Sequence, residues 1–411
     1  MEEILKSVKE ASRVAATLNG GVKRKLLNEM AERLEKYTNE IIEANKKDLE
    51  YAKEANLSNA LIDRLLLNEK RIKDMANSLR DIAKLKDPVG KVIDGWKIDN
   101  GLEIQKVKIP IGVIGIIYES RPNVTSDAAG LCLMSGNACI LKGGKEAFHS
   151  NAVIIEILRW VLEKNKLPAD MITLLPDYSR SGVEWLIKQD KYVDLIIPRG
   201  GEGLIKFVSE NAKVPVVKHD KGLCHVYIHE DADLKKGAKI ALNAKVQRPG
   251  VCNAMETLLV DRKIAGEFLP IIKEMMESEG VELRGCDITL EYIDVKPATE
   301  EDWHTEYLDK ILSIRVVDNF EDAIEHIEKY GSGHSDAIVT ENYKAAEEFL
   351  NRVDSACVYV NASTRFTDGG VFGFGAEVGI STNKLHARGP MGIDDLTTYK
   401  YKILGDGQVR E

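Results

Sequence analysis

The chain has 411 residues, with 57 lysines and arginines, 66 aspartates and glutamates, and a formal net charge of −9. Apolar residues make up 44% and charged residues 30%, the balance of a soluble globular protein of two or three domains. The negative net charge excludes a nucleic-acid-binding protein, because such proteins need positive charge to displace phosphate counterions. No apolar stretch approaches the roughly 18 residues that span a membrane, so no membrane association is expected.

The N-terminus and the cysteines point to the cytoplasm. The first twenty residues form a charge-laced helical pattern without the apolar core of a secretion signal. The six cysteines are far apart and include no CxxC pair. Reduced thiols in a cytoplasmic protein are therefore expected.

The N-terminal part of the chain is predicted to be helical over residues 1–85. Between Val22 and Ala55, leucines and isoleucines recur at spacings of three, four and seven residues. Residues 93–108 then alternate around Asn100-Gly101, a dipeptide that favours a type I′ hairpin turn. Residues 397–404 alternate again and are expected to extend the hairpin.

From residue 109 onward, short apolar runs alternate with helical patterns, which predicts parallel sheets covered by helices. The first set of predicted strands is Val113–Tyr118, Ala138–Lys142, Met171–Leu175, Val193–Ile197 and Pro215–Lys218. The second set is Glu256–Val260, Ile288–Ile293, Ile311–Val317, Ala337–Thr340 and Val358–Asn361. Residues 361–391 carry many glycines and little periodicity, and such a long irregular segment is often functional.

Cys252 is the cysteine best placed for chemistry. It follows Arg248-Pro249-Gly250 and precedes the apolar run that begins at Met255, so it lies at a junction between a loop and an element. Reactive thiols are presented at such junctions. The alternative is a small buried hydrophobic residue, which is also the interpretation of the other five cysteines.

Two glycine-rich turns resemble anion-binding loops. Lys142-Gly143-Gly144-Lys145 follows one predicted strand, and Arg199-Gly200-Gly201 follows another. Glycines let a ligand approach the backbone, and a helix N-terminus attracts anions. Each turn alone is weak evidence for a binding site, because glycine turns after strands are common. The two turns together with the flanking cations suggest a phosphate-bearing ligand.

The histidines predict no metal site. His219, His225 and His229 lie close in sequence, but no other cluster of metal ligands accompanies them.

The chain resembles the aldehyde dehydrogenase superfamily over essentially its whole length. The matching motifs are RPNVT, ILKGGKEA, IIPRGGEG, QRPGVCNAMETLLV, TEYLDKILSI and SACVYVNAS. Within the superfamily, the block FGFGAEVGISTNKLHARGPMGIDDLTTYKYKILGDGQ is similar to the branch that reduces L-glutamyl 5-phosphate in proline biosynthesis.

The resemblance implies a role for one residue in most of these motifs. Cys252 matches the nucleophile, and Asn123 matches the asparagine that joins the nucleophile's N–H in an oxyanion hole. Lys142 and Glu306 match the residues that hold the adenosine ribose and the nicotinamide ribose of the cofactor. Gly200 lies in the matching IIPRGGEG turn.

Two departures from the superfamily pattern refine this interpretation. The glutamate that activates water in hydrolytic members is replaced by His219, which favours a reductase, although a histidine is itself able to act as a base. Lys145 stands where NAD-preferring members often carry a glutamate. A cation there attracts the 2′-phosphate of NADPH, so NADPH is the expected cofactor.

The implied reaction is the NADPH-dependent reduction of L-glutamyl 5-phosphate to L-glutamate 5-semialdehyde through a Cys252 thioester. The acidic substrate needs local cations, and the candidates are Arg121, Arg199, Arg248 and Arg365. The alternatives are an aldehyde dehydrogenase that acylates coenzyme A and a scaffold protein that has lost catalysis. A transient contact with glutamate 5-kinase, the enzyme that makes the substrate, stays open.

The superfamily fold implies two doubly wound α/β domains with parallel sheets plus a β-hairpin oligomerisation flap. The NADP-binding domain is expected at residues 1–92 and 109–222. The catalytic domain is expected at 223–389, and the flap at 93–108 and 390–411. Because the flap has nothing local to pair with, a homodimer or a larger homo-oligomer is expected.

Overall fold

The computed structural model describes residues 1–217 and 221–410. The chain divides into two compact units. Unit 1 comprises Met1–Lys218, Gly373–Gly379 and Pro390–Glu411, and unit 2 comprises His219–Phe372 and Ile380–Gly389. The predicted α/β class is confirmed, whereas the functional labels of the predicted domains remain predictions.

Unit 1 begins with five helices, as the sequence predicts for residues 1–85. They are α1 (Glu2–Ala15), α2 (Gly20–Lys36), α3 (Thr38–Glu54), α4 (Asn59–Leu65) and α5 (Glu69–Lys84). Asn19 and Asn68 cap the N-termini of α2 and α5 by accepting backbone hydrogen bonds. The periodic segment from Val22 to Ala55 is interrupted at Tyr37, where α2 ends and α3 begins.

The predicted hairpin is confirmed. It consists of β1 (Val92–Lys97) and β2 (Glu103–Pro110), and Gly101 adopts a φ of +93° in the turn between them. The C-terminal strand β16 (Thr397–Leu404) pairs with β2 in antiparallel register over its whole length. The residues of β1 are exposed, and so are all residues of β16 except the first. This three-stranded sheet is called the flap below.

A four-stranded parallel sheet forms the centre of unit 1, in the order β5-β4-β3-β6. Its strands are β3 (Val113–Tyr118), β4 (Ala138–Lys142), β5 (Ile172–Leu174) and β6 (Leu195–Arg199). Its helices are α6 (Pro122–Met134), α7 (Phe148–Lys164), α8 (Arg180–Leu186) and α9 (Glu202–Asn211). The chain leaves β3 toward β4 on one side and returns on the other side as β6. Ligands of such sheets bind beside the carboxyl ends of the strands at this switch point.

Unit 2 is built on a seven-stranded parallel sheet in the order β10-β9-β11-β8-β7-β12-β13. The strands are β7 (Cys224–Ile228), β8 (Met255–Asp261), β9 (Glu282–Gly285), β10 (Lys296–Pro297), β11 (Ile311–Val317), β12 (Ser335–Val339) and β13 (Cys357–Val360). The helices are α10 (Leu234–Val246), α11 (Arg262–Ser278), α12 (Asp287–Tyr292), α13 (Glu300–Trp303), α14 (Phe320–Tyr330) and α15 (Tyr343–Arg352).

Alternate residues of the unit 2 strands pack on opposite faces of the sheet. Leu258 belongs to a core formed with α10 and α11, whereas Leu259 packs with α14 and with Phe349 of α15. Helices therefore cover both faces, which confirms the doubly wound architecture.

Two of the predicted strands need correction. Residues Ile288–Ile293 form most of helix α12, because Thr289 and Ile293, four residues apart, are buried while Leu290 is exposed. That is helical spacing, although the apolar residues alternate in the sequence. Pro215–Lys218 contributes only a bridge from Val216 to Ile196, and Lys218 lies outside the described residues.

The segment 361–391 is largely irregular, as predicted. It contains a single 3-10 turn at Thr364–Phe366 and the paired strands β14 (Gly379–Ser381) and β15 (Gly389–Met391). The part of the chain that the structure describes has no helix both long and apolar enough to span a membrane.

Candidate active site

Cys252 lies on a turn between α10 and β8. The Ala254 N–H donates to the carbonyl of Val251 at 3.0 Å, which closes the turn around the thiol. Cys252 is half-buried. The turn therefore presents the side chain at the amino end of a buried strand, as the Pro-Gly sequence predicts.

Gly222 and Cys224 hold the backbone of Cys252. A Cβ atom on Gly222 would lie 2.5 Å from the Cys252 Cα and 2.6 Å from its carbonyl carbon, so only glycine fits there. The Cys224 thiol donates to the Cys252 carbonyl oxygen at 3.2 Å. Burial raises the pKa of Cys224 well above its usual value, which keeps this thiol protonated as a donor.

Asn253 ties the same turn to residues 364–367. Its Nδ2 donates to the carbonyl of Thr367 at 2.7 Å, and the Thr364 hydroxyl donates to the carbonyl of Asn253 at 2.8 Å. Asn253 is 4% exposed. The irregular segment 361–391, interpreted from the sequence as functional, therefore directly contacts the turn that carries Cys252.

Two of the predicted arginines lie at this turn. The Arg365 guanidinium donates through Nε to Gln247 at 2.9 Å and through Nη1 to Asn253. Burial and the positive charge of Arg248 lower the pKa of Arg365, and the negative charge of Asp368 opposes this shift more than Cys252 does. Gln247 and Asn253, which lie on either side of Arg248 and Cys252 in the sequence, thus anchor Arg365 to the turn.

Glu306 lies half-buried on the loop between α13 and β11. The next residue, Tyr307, donates its hydroxyl to Asp302 at 2.6 Å and lies 2.8 Å from the Ser313 hydroxyl. Burial raises the pKa of Asp302, but hydrogen bonds from Tyr307, Thr299 and Arg284 outweigh it and lower that pKa to about 2. An ionised carboxylate therefore anchors the loop beside Glu306.

In unit 1, Asn123 lies in the first turn of α6 with its side chain exposed. Its Nδ2 donates to Asp127 at 3.2 Å. Burial raises the pKa of Asp127. Asn123 and Cys252 belong to different units, so their shared oxyanion hole remains a prediction.

Lys142 ends β4 and is only 5% exposed. Its ammonium donates to the carbonyls of Gly143 at 3.1 Å and Tyr178 at 2.8 Å. Burial lowers its pKa, while the carboxylate of Glu146 opposes this shift. A Cβ on Gly143 would overlap Asn151, so the glycine keeps the backbone close to α7.

Lys145 is exposed and lies on the short turn before α7. Its ammonium is 5.6 Å from the centre of the Tyr51 ring. A hydrogen bond with Tyr51 raises the pKa of Lys145, so the side chain carries a positive charge at neutral pH. The ammonium remains accessible to a ligand anion.

Both predicted anion-binding turns hold a carboxylate of the protein. Glu119 accepts a hydrogen bond from the Gly201 N–H at 3.0 Å, and a Cβ on Gly200 would lie 2.5 Å from the same carboxylate. Glu146 lies against the other turn, where a Cβ on Gly144 would be 2.2 Å from its carboxylate, and it accepts hydrogen bonds from the N–H and hydroxyl of Ser120 at 2.7 and 2.9 Å. In both turns the glycine therefore leaves room for a carboxylate of the protein itself.

The two remaining arginines flank these turns. Arg121 immediately precedes α6, and Arg199 ends β6. Both are half-buried in unit 1. They lie at the carboxyl edge of the sheet with Lys142, Gly143, Gly200 and Gly201.

Two of the three histidines, His225 and His229, lie in the described part of the chain, and their side chains have different partners. His219 lies outside the described residues. The Nδ1 of His225 lies 2.8 Å from buried Asp336, and that of His229 lies 3.0 Å from the Thr340 hydroxyl. His229, with its neighbours Glu230 and Asp231, brings ligand atoms within 4.8 Å of one another, but exposed acidic groups commonly do so without a metal.

Sequence reasoning missed several residues that hold the site. Gly222 and Cys224 support the turn that carries Cys252 through a contact between segments about thirty residues apart, which no local pattern reveals. Glu119 and Glu146 occupy the glycine turns, and the only signal was their position at or near strand ends.

The chain is similar to known proteins over its whole length. The sequence model described as the aldehyde dehydrogenase family matches residues 1–284 and 294–401. A gamma-glutamyl phosphate reductase from Nautilia profundicola is 76% identical over 411 residues, which cover 100% of both chains. One from Nitratiruptor sp. is 67% identical over 412 residues and also covers 100% of both chains.

A solved structure agrees with the sequence relatives. The crystal structure of gamma-glutamyl phosphate reductase from Thermotoga maritima matches with a TM-score of 0.98 and 51% identity, over 100% of this chain and 99% of that chain. The chain therefore belongs to the aldehyde dehydrogenase family and, within it, to the gamma-glutamyl phosphate reductases.

Proposed function

We propose that this enzyme reduces L-glutamyl 5-phosphate to L-glutamate 5-semialdehyde with NADPH and releases phosphate, as the second step of proline biosynthesis from glutamate. The names of its close relatives support this reaction. The observation that carries it is the Cys252 turn, which Gly222 and Cys224 hold beside Arg365.

The Cys252 thiolate attacks the acyl carbon of the substrate, and a carbon–sulfur bond forms as the carbon–oxygen bond to phosphate breaks. The resulting thioester accepts a hydride at the same carbon and becomes the alkoxide of a thiohemiacetal. Collapse of this alkoxide breaks the carbon–sulfur bond, releases the aldehyde and regenerates the Cys252 thiolate. Asn123 and the Cys252 N–H stabilise the tetrahedral oxyanion, and one such donor typically contributes about 3–4 kcal/mol.

Arg365 and Arg248 are proposed to bind the phosphate that leaves. Arg365 is anchored through Nε and Nη1, so its guanidinium is fixed beside the nucleophile turn before substrate arrives. A planar guanidinium pairs two oxygens of a phosphate or carboxylate at once. Arg121 and Arg199 are proposed as further cations for the acidic substrate.

NADPH supplies the hydride when it is bound. The turn at Arg199-Gly200-Gly201 has room for such a dinucleotide, since no atom of the described residues, chain neighbours aside, lies within 4 Å of the place where a Cβ on Gly201 would be. Gly201 is proposed to donate to a phosphate where it now donates to Glu119, and Lys142 and Glu306 are proposed to hold the riboses. Exposed, charged Lys145 favours the additional phosphate of NADPH.

The carboxylate that hydrolytic aldehyde dehydrogenases use to activate water has no counterpart at His219. We infer that the thioester is reduced instead of hydrolysed. This inference rests on the sequence alone, because His219 lies outside the described residues.

The experiment that tests the reaction runs it in reverse. The enzyme is incubated with L-glutamate 5-semialdehyde and NADP⁺, with phosphate, with coenzyme A, or with neither, and NADPH absorbance is followed. Phosphate-dependent formation of NADPH is expected. Dependence on coenzyme A would identify an acylating dehydrogenase, and formation with neither acceptor would mean that water releases the acyl group.

The nucleophile is tested in the same assay. Cys252→Ala is expected to abolish turnover while NADPH binding, measured by fluorescence, stays intact. Cys286→Ala is the matched control, because Cys286 contacts Thr289 in α12, outside the proposed site. Substantial activity in Cys252→Ala would contradict the thioester scheme.

We also propose that the enzyme is a homodimer or a larger homo-oligomer and works in the cytoplasm. The flap exposes Trp96, Tyr401 and Ile403 by 43%, 51% and 59%, which is a large apolar surface on a sheet edge and face. None of the six cysteines, all of which are described, forms a disulfide bond within the chain. Ile403→Asp is expected to shift the sedimentation coefficient toward that of a monomer.

A further inference from the structure

Unit 2 contains a buried ion pair directly behind the nucleophile turn. Lys245, near the end of α10, donates to the carboxylate of Glu256 on β8 at 2.6 Å. The two side chains are 0% and 1% exposed. A buried ion pair of this kind adds little to stability compared with well-packed apolar residues, so its presence calls for another explanation.

The second oxygen of Glu256 reaches the loop that carries Glu306. It accepts a hydrogen bond from the Leu308 N–H at 3.3 Å. Leu308 has a φ of +53°, in the left-handed region that residues other than glycine rarely adopt. A strained residue of this kind persists only where its surroundings hold it, and such residues cluster at functional sites.

The remaining contacts of the loop converge on the same conformation. The Tyr307 side chain is fixed by Asp302 and Ser313, and the Thr305 hydroxyl donates to the carbonyl of Glu301 at 2.7 Å. Glu256 is thus the contact that ties the strained end of the loop to the strand that follows Cys252. Glu306 lies between these anchors.

We propose that Glu256, kept in place by Lys245, is a positioning residue that holds residues 305–309 in their strained conformation and so orients Glu306 toward the cofactor. The lysine supplies the charge that lets a carboxylate lie in the core while its other oxygen accepts from Leu308. This proposal rests on the proposed function only for the role of Glu306. Burial raises the pKa of Glu256 to about 7, and Lys245 opposes this shift.

Two variants separate positioning from stability. The Lys245→Met/Glu256→Leu variant replaces the pair with apolar side chains of similar size. Such replacements usually preserve or raise stability, but this one removes the acceptor for Leu308. Glu256→Gln keeps an oxygen acceptor for the Leu308 N–H and leaves Lys245 without its anionic partner, so it is expected to lower the melting temperature.

The two variants are expected to have opposite effects on thermal stability and on the conformation of the loop. The apolar double variant should keep its melting temperature, raise the KM for NADPH about five- to tenfold and change kcat less than threefold. Hydrogen–deuterium exchange of the peptide covering residues 304–310 should accelerate at least tenfold. Glu256→Gln should melt earlier yet keep KM and exchange within twofold of the wild type. The alkylation rate of Cys252 by iodoacetamide should be unchanged in both.

The outcomes distinguish this proposal from the cofactor assignment. Wild-type exchange of residues 304–310 in the apolar double variant would overturn the positioning role. Accelerated exchange with an unchanged KM for NADPH in both the double variant and Glu306→Gln would support positioning of the loop and reject Glu306 as a cofactor ligand. A raised KM in Glu306→Gln alone would retain the cofactor assignment and reject the role of Glu256.

Discussion

Replacing Gly222 with alanine adds one methyl group against the backbone of the proposed nucleophile. The new Cβ would lie 2.0 Å from the Cys252 carbonyl oxygen and 2.5 Å from its Cα, whereas ordinary contact begins at 3.4 Å, so the two segments must separate by at least about 1 Å. The opposing atoms are backbone, and no side-chain rotation relieves the overlap. A misplacement of about 1 Å at a reacting group costs roughly 100-fold in rate.

We therefore expect the kcat of Gly222→Ala to fall about 100-fold in the phosphate-dependent reverse reaction. NADPH binding, measured by fluorescence, should change less than twofold, because the predicted phosphate-binding turns lie in unit 1. Overpacking costs about 1–3 kcal/mol, so the melting temperature should fall by a few degrees. The alkylation of Cys252 by iodoacetamide, followed by mass spectrometry, should slow in parallel with turnover.

Gly266→Ala is the matched control. The same methyl group there meets Tyr292 at 3.6 Å, which is ordinary contact, and it lies within helix α11. Activity should stay at the wild-type level, and stability should be unchanged or rise by up to about 1 kcal/mol. Wild-type turnover and alkylation in Gly222→Ala would refute the claim that this close approach sets the position of Cys252.

Three further predictions concern the cofactor, the leaving group and the loop before β11. Lys145→Glu should reverse the preference for NADPH over NADH, measured as the ratio of kcat/KM for the two cofactors; an unchanged ratio would exclude a 2′-phosphate contact at this residue. Arg365→Gln should raise the KM for phosphate in the reverse reaction at least tenfold with little change in the KM for NADP⁺, and equal effects on both would indicate a structural role. The lowered pKa of Asp302, about 2 against the ordinary 3.8, contributes about 2 kcal/mol to the free energy of unfolding. Because the folded-state pKa is depressed, that contribution is present above about pH 5 and is lost as the pH falls through 3.8 toward 2. Urea unfolding between pH 2 and 6 should show a shallower pH dependence in Asp302→Asn, and an identical slope would mean that Asp302 titrates normally.

The elements that the sequence predicts best are those in which local pattern and tertiary burial agree. Val113–Tyr118 is buried at every position, so its continuous apolar run identifies a central strand. The run at Ile288–Ile293 misleads because its alternation is that of a strand, while the surfaces that cover Thr289 and Ile293 come from other parts of unit 2.

The same distinction applies to the site. The Pro-Gly turn before Cys252 is a local signal, and the structure places the thiol where that signal predicts. Gly222 acts through a segment remote in sequence, and Glu256 looks like an isolated polar residue at the start of an apolar strand until Lys245 and Leu308 are brought to it. Residues that position other residues of a site act through tertiary contacts, so a single sequence does not reveal them.

The pairing of β2 with β16 also determines when unit 1 is able to complete its fold during translation. Pro110 pairs with Thr397, so about 290 residues must be added after β2 before its partner strand exists. At roughly 5–20 residues per second, the ribosome needs about 15–60 s for that length. During this interval the nascent hairpin carries an open edge, and unit 1 also waits for residues 390–410. The first half of the chain therefore cannot finish folding on the ribosome before the second half has emerged.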